Sequence, residues 1–341
     1  MKRGRHVGDF SDVCCPHPAV YPPRVSASLR ARRVFPYVAW ATLAFNLLVI
    51  LWGTVVRATG SGDGCGESWP KCGQQFIPPN PSVETLIEFS HRASSFAAGL
   101  GVAAVFLLAL WAFPKHHIVR KAATVAGIVL VVEALLGASL VLFGWVDDDV
   151  SAARMIVVPL HLTNTFLLLG SLAVTAWWGS GLAEPATEGK GKSIRWLWLG
   201  AIVLLILGMT GALNALADTI FPADSVAEGI ADEFGPTAPV LLRLRIIHPL
   251  VAVVGGILVG WIAADIARHG SRTTRRLAAT VSIVVLLQFF VGIANIFFLT
   301  PLSIQVTHLL MADALWISFV LFSVSWLGDP VGARMPKSAV V

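Results

Sequence analysis

Four of the nine histidines, His91, His161, His248 and His308, fall inside long apolar runs, each a few residues from the start of every second run. Histidine is costly in hydrocarbon, and there it usually marks function. Imidazole is a standard axial ligand of haem iron. One such residue would read as a satisfied buried polar group. Four in register, two in each half of the chain, read as two paired axial-ligand sites. The remaining histidines, His6, His17, His116, His117 and His269, fall in the tail and the basic loops and read as surface residues.

A haem also carries propionates. Arg57, Arg92, Arg154, Arg243 and Arg245 cluster at the level of the four histidines, where a guanidinium can pair bidentately with a carboxylate. Arginines near helix ends also snorkel, and for Arg243 the two readings are even. Arg92 and Arg245, within one turn of a histidine, favour the propionate role, and Arg57 is a further candidate. The halves differ at one place: the first reads Glu88-Phe89-Ser90-His91-Arg92, the second Arg245-Ile246-Ile247-His248. Residues three apart share a helix face, so Glu88 points toward whatever His91 binds. There a carboxylate can accept protons or hold a water, whereas an arginine can only neutralise charge. The plainer alternative pairs Glu88 with Arg92 four residues on.

The elements that position these residues must be membrane helices. The chain is 56% hydrophobic and 13% charged, against about 25% charged in soluble domains, and its mean hydropathy is +0.75. A bilayer core needs roughly 20 apolar residues per helix. Eight runs qualify, near 36–56, 86–113, 122–143, 157–178, 196–216, 244–266, 277–299 and 303–327. They are continuous rather than alternating, which excludes a membrane barrel. Glu133 in the third and Gln288 and Asn295 in the seventh give these helices polar interior faces.

Lysine and arginine concentrate in the first 33 residues and in the second, fourth and sixth loops, while Asp147–Asp149 and Asp218, Asp224, Glu228, Asp232 and Glu233 fill the third and fifth. Basic loops stay cytoplasmic, so both termini are expected inside a cell membrane crossed eight times. The sequence pI of 9.3 then reflects topology, and no nucleic-acid partner is implied. Cys14 and Cys15, in a reducing and structureless tail, read as incidental. Cys65 and Cys72 sit in the first outer loop, Thr59-Gly60-Ser61-Gly62-Asp63-Gly64-Cys65-Gly66-Glu67-Ser68-Trp69-Pro70-Lys71-Cys72. On the oxidising side a disulfide is plausible. A structural staple worth roughly 2–3 kcal/mol and a redox-active pair fit that loop equally well.

The two halves superpose. A shift of 157 residues lays His91 on His248 and Glu88 on Arg245, and one of 155 lays Glu133 on Gln288 and Gly137 on Gly292. Parallel repeats predict two bundles related by an axis along the membrane normal, and bundle cores are where cofactor sites are built. The expected fold is an all-α integral membrane protein of eight transmembrane helices in two pseudo-symmetric four-helix bundles. Its parts are a basic cytoplasmic tail (1–33), an N-terminal bundle (34–180), a cytoplasmic linker (181–195), a C-terminal bundle (196–328) and a cytoplasmic tail (329–341). The second bundle, with no carboxylate beside its histidine, suits holding a haem; the first suits reacting one.

Over roughly residues 34–328 the chain resembles the haem A synthase family. The resemblance rests on the Gly60-Ser61-Gly62 to Trp69-Pro70-Lys71-Cys72 loop, Glu88-x-x-His91-Arg92, His161, Arg245-x-x-His248-Pro249 and His308. It implies oxidation of the C8 methyl of haem O to a formyl group by successive hydroxylations. It also implies substrate haem between His91 and His161, haem b between His248 and His308, Glu88 as the essential carboxylate, and Cys65 and Cys72 as the outer pair. Haem O synthase is the implied donor, a quinone a candidate electron acceptor, and a homo-oligomer a candidate assembly in membrane lipid. Some members carry a second cysteine pair in the fifth loop; residues 216–243 contain none, so a mechanism needing that pair does not carry over. The competing readings are a di-haem b-type electron carrier linked to quinol, which gives Glu88 and the cysteine loop no task, and a haem transporter or chaperone.

Overall fold

A computed structural model describes residues 23–330; Cys14 and Cys15 lie outside them. The elements run α1 (Pro23–Ala58), α2 (Val83–Ala112), α3 (Ile118–Leu142), α4 (Ala152–Gly179), α5 (Gly191–Ile220), α6 (Val226–Glu233), α7 (Val240–Leu244), α8 (Ile247–Ala267), α9 (Arg272–Phe297) and α10 (Leu302–Gly328). Among the described residues, eight spans are long and apolar enough to cross a membrane, with α7 and α8 together forming the sixth. The chain is a multi-pass, all-helical membrane protein.

All eight apolar runs are helical, and their helices reach past the runs into polar sequence. The largest extension is at α1, which begins at Pro23. Residues 23–33, expected within a structureless tail, are instead its first turns. Leu29, Ala31 and the arginines at 30, 32 and 33 are strong helix formers, and the backbone ladder continues where hydropathy stops. Serines cap the N-terminal ends of other helices: the side chains of Ser82, Ser151 and Ser271 accept from the third amide of α2, α4 and α9, satisfying one of the orphan donors there.

Short α6 is absent from the apolar pattern. It starts at Ser225, whose hydroxyl accepts from the Glu228 amide, while the Glu228 carboxylate accepts from the Asp224 amide at 3.0 Å. The sixth span breaks at Arg245 and Ile246, between α7 and α8. Pro249, in the first turn of α8, lacks only an N–H that a helix start leaves unpaired.

Helix α1 packs on α2 and α4, and α3 on α2 and α4. In the second half α8 packs on α5 and α9, and α10 on α9 and α5. The order of neighbours is thus the same in both halves. Helices α4, α5, α10 and α1 form the seam between them. Phe166 of α4 stacks on Trp316 of α10 with ring centres 6.0 Å apart, and the Trp316 indole N–H donates to the Phe166 carbonyl. Lipid tails are as apolar as leucine, so such helices associate through close packing and buried hydrogen bonds. Rings accordingly lie on glycines: a Cβ at Gly200 would sit 2.5 Å from Phe319, and one at Gly256 2.7 Å from Phe289. The outward faces, with Leu107, Ile128, Val254, Ile257 and Phe290 exposed, are left for lipid.

The loop from 181 to 190 is anchored to the end of α10. Lys190 Nζ donates to the carbonyls of Trp326 at 2.9 Å and Leu327 at 2.8 Å, ending that helix with a cation as its dipole favours. Burial lowers the Lys190 pKa, opposed by the nearby Asp329 carboxylate.

Candidate functional site

Each of the four histidines rests on a glycine of the preceding membrane span in its half. A Cβ at Gly53 of α1 would lie 3.1 Å from His91 Cε1, and one at Gly137 of α3 3.5 Å from His161 Cε1. In the second half, a Cβ at Gly211 of α5 would lie 3.1 Å from His248 Cε1, and one at Gly292 of α9 3.2 Å from His308 Cε1. At Gly53, Gly211 and Gly292 the missing side chain lets the imidazole lie close to the neighbouring backbone, whereas at Gly137 a Cβ would make an ordinary contact. Gly137 and Gly292 match in the repeat. Gly53 and Gly211 escaped the sequence reading, although their spacing of 158 residues was there to be found.

His248 and His308 are brought together, with ring centres 6.3 Å apart and planes at 88°. Metal–imidazole bonds of roughly 2 Å on each side, plus the ring radii, put the centres of two trans imidazoles about 6 Å apart. The ring centres of this pair are separated about as far as those of two imidazoles on one metal. Among the described residues no three or more histidine, cysteine or acidic side chains gather to hold a bare ion. Two protein ligands suffice when a porphyrin supplies the rest. The Nδ1 atoms of His91, His161 and His308 are buried without a hydrogen bond, and His248 Nδ1 lies 3.1 Å from Thr210 Oγ1.

Three residues before the first histidine of each half, a charged side chain clamps the loop between the first two spans of that half. The Glu88 carboxylate accepts from the Cys65 amide at 2.6 Å and from Arg92 Nε at 2.9 Å and Nη2. Arg92 Nη1 then reaches the carbonyls of Ser68 and Lys71. Cys65 and Cys72 are disulfide-bonded with Cα atoms 4.5 Å apart, and Thr85 Oγ1 donates to the Gly64 carbonyl at 2.6 Å. The loop lies so close to α2 that a Cβ at Gly64 would stand 2.6 Å from the Glu84 backbone. In the second half Arg245 does the same mechanical task with opposite charge. It donates to Glu233 at 2.7 Å, to Asp218 at 3.3 Å and to the Gly229 carbonyl at 3.0 Å, holding α6 down.

The sequence set Glu88 against its pairing with Arg92; the structure shows that pairing, together with the contact to the disulfide loop. The other outer arginines are tied to protein as well. Arg57 crosses the seam to the Ala215 carbonyl at 2.6 Å, Thr219 Oγ1 and Gln305 Oε1 at 2.7 Å. Arg154 donates to the carbonyls of Asp147 and Asp149, and Arg243 to those of Gly235 and Pro236.

The fold is that of a helical membrane protein with two histidines seated on glycines in each half, beside a clamped loop. Residues 36–320 match the family described as cytochrome oxidase assembly protein, and the chain belongs to that family. It is similar to a Thermus thermophilus protein named protoheme IX farnesyltransferase, 47% identical over 292 residues that cover 85% of this chain and 48% of that protein. It is also similar to the heme A synthase of Alkalihalophilus pseudofirmus, 46% identical over 101 residues (29% of this chain, 33% of that protein). The heme A synthase of a Bacillus cereus strain is 43% identical over 116 residues, 33% of this chain and 36% of its own length. The chain thus spans about half the length of the Thermus relative it matches.

Proposed function

We propose that this protein is a haem A synthase that oxidises the C8 methyl group of haem O to a formyl group for cytochrome oxidase. The observation that carries the reading is the recurrence of one seat: four imidazoles on four glycines, two per half, with one pair at the spacing of trans ligands. Substrate haem O is assigned to His91 and His161, and a resident haem b to His248 and His308. Bound there, haem b would supply one-electron transfer, relaying electrons from the methyl group under oxidation to an external acceptor such as a quinone.

The rest falls to the chain's own groups. His91 and His161 would hold the porphyrin beside the end of α2 that also carries Glu88. Oxidising a methyl group releases protons, and a carboxylate nearby can accept them. Glu88 works here from a fixed position, because Arg92 and the Cys65 amide hold both its oxygens. Each guanidinium has five donors. The donors that protein acceptors leave over on Arg57, Arg92 and Arg245 would be available to the propionates. The clamped loop, closed by Cys65 and Cys72, excludes water from the outer end of the first site.

Topology follows the charge bias: both termini lie in the cytoplasm of a cell membrane, and the histidines lie near the outer interface. The Thermus relative's name describes farnesylation of protohaem, which yields the substrate this reading requires. We place haem O synthase beside this chain as the upstream supplier. Extraction of pigments from membranes that make haem O tests the reading. Haem A is expected only when the chain is present; a chain that binds haem and yields no formyl-bearing pigment overturns it.

A further inference from the structure

Of the four seated imidazoles, one has a carboxylate at its back. Glu133 of α3 faces α4, where its Oε2 accepts from Asn164 Nδ2 at 2.7 Å and its Oε1 accepts from Thr165 Oγ1. Both donors belong to the helix that bears His161, three and four residues beyond it. Asn164 Nδ2 is itself held on the Val129 carbonyl at 3.0 Å, and Thr165 Oγ1 lies 2.9 Å from the His161 carbonyl. So anchored, Glu133 Oε1 stands 3.3 Å from His161 Nδ1. That is an ion-pair separation short of hydrogen-bond alignment; a small turn about the ring's χ2, a broad torsion, aligns it.

The matching position of the second half carries an amide. Gln288 Nε2 donates to the His308 carbonyl at 3.1 Å and lies 3.5 Å from His308 Nε2, while His308 Nδ1 has no hydrogen-bond partner. His248 has only a hydroxyl, Thr210, and His91 Nδ1 is without a hydrogen bond. The two sites therefore share seats and differ in what stands behind one ligand.

A carboxylate behind a ligating imidazole fixes its tautomer and orientation and makes it a stronger donor to the metal. We propose that Glu133 is the positioning residue of the first site. It sets His161 as the most electron-donating of the four ligands and so holds the first site at a lower reduction potential than the second, where Gln288 leaves His308 unassisted. Electrons leaving the first site then run downhill to the second. This inference rests on the haem assignment proposed above.

The test uses the full-length chain, purified and saturated with iron protoporphyrin IX, with His248→Ala providing a background that reports the first site alone. Glu133→Gln should raise the first-site midpoint potential. Each tenfold loss of preference for ferric over ferrous iron corresponds to about 59 mV. Haem release from that site should quicken roughly 10- to 100-fold, the usual effect of losing such a partner. Asn164→Ala, which loosens the carboxylate without removing it, should shift the potential the same way by less. Gln288→Glu should lower the second-site potential in a chain with both pairs intact. Unchanged potential and low-spin spectrum in Glu133→Gln with haem retained overturns the proposal. If that variant does not fold, an unchanged potential in both Asn164→Ala and Gln288→Glu overturns it equally. Pigment extraction separates the two readings: shifted potentials without haem A sink the enzyme assignment alone, and haem A formation with unshifted potentials sinks the role of Glu133 alone. A wild-type chain whose haem content is indifferent to His161→Ala sinks both.

Discussion

Replacing Gly211 with alanine tests the histidine seats directly. The new methyl would stand 3.1 Å from His248 Cε1, 3.5 Å from Nδ1 and 3.6 Å from Nε2. Carbon atoms rest at about 3.5–4.0 Å, so the ring must withdraw by roughly half an ångström or tilt. Such a displacement is about the tolerance of a binding constellation, ~0.5 Å, and Thr210 at 3.1 Å restrains the ring on the same side. Overpacking of this kind costs about 1–3 kcal/mol, which corresponds to a roughly 5- to 150-fold weaker second-site haem. Gly137→Ala sets the lower bound, since its methyl would meet His161 Cε1 at 3.5 Å, an ordinary contact, and it should bind haem nearly as the wild type does. Gly260→Ala is the control: nothing lies within 4 Å of a Cβ there, and alanine gains up to ~1 kcal/mol of helix propensity. Haem per chain, from pyridine haemochrome spectra during titration with haemin, should rank Gly260→Ala with wild type, then Gly137→Ala, then Gly211→Ala. Wild-type binding by Gly211→Ala, or an equal loss in Gly260→Ala, refutes the seat.

Glu88→Gln turns a donor toward the Cys65 amide or gives up a donor from Arg92, costing about 1–3 kcal/mol at a buried contact. It should retain haem b, unfold at lower temperature and accumulate haem O; near-normal haem A output would remove Glu88 from the chemistry. His248→Ala should strip most low-spin b-type absorbance from the purified protein, and a full haem complement would show that the ligand lies elsewhere. A membrane-impermeant maleimide applied to reduced intact cells should label Cys65 and Cys72 and spare Cys14 and Cys15; labelling of the tail pair instead would invert the topology.

The spans were legible because an apolar run of that length has few other fates. Their ends were not: Pro23–Val34 and Gly191–Arg195 are helical by propensity and backbone bonding, to which hydropathy is blind. Helix α6 escaped because its signal is a cap, Ser225 and Glu228, rather than a period. At the site the four histidines stood out as costly residues in apolar sequence, and the glycines beneath two of them did not, since glycine is common in membrane helices. The outer arginines show a deeper limit. Their level was readable, but many of their partners are backbone carbonyls, those of Arg92, Arg154 and Arg243 lying in loops, and no spacing rule says where a loop's carbonyls will point. Glu133 was visible as a polar residue aligned with Gln288; its contact with His161 depends on how α3 packs on α4.

The two outer clamps are local in the chain. Gly53, Cys65, Cys72, Glu88, His91 and Arg92 all belong to the first hairpin, α1 and α2 with their loop. Gly211, Asp218, Gly229, Glu233, Arg245 and His248 all belong to the stretch from α5 to α8. Chains fold from the N-terminus as they are made, and contacts between near neighbours form fastest. Each half can therefore seat its first histidine and lock its lid while the ribosome is still making the helix that carries the second. His161 and His308 arrive last, on α4 and α10, the helices joined at the Phe166–Trp316 contact. On the haem assignment proposed above, tetrapyrrole capture would wait on the same pair of helices that docks one half against the other, and an incompletely inserted chain would offer half-sites rather than a premature haem trap.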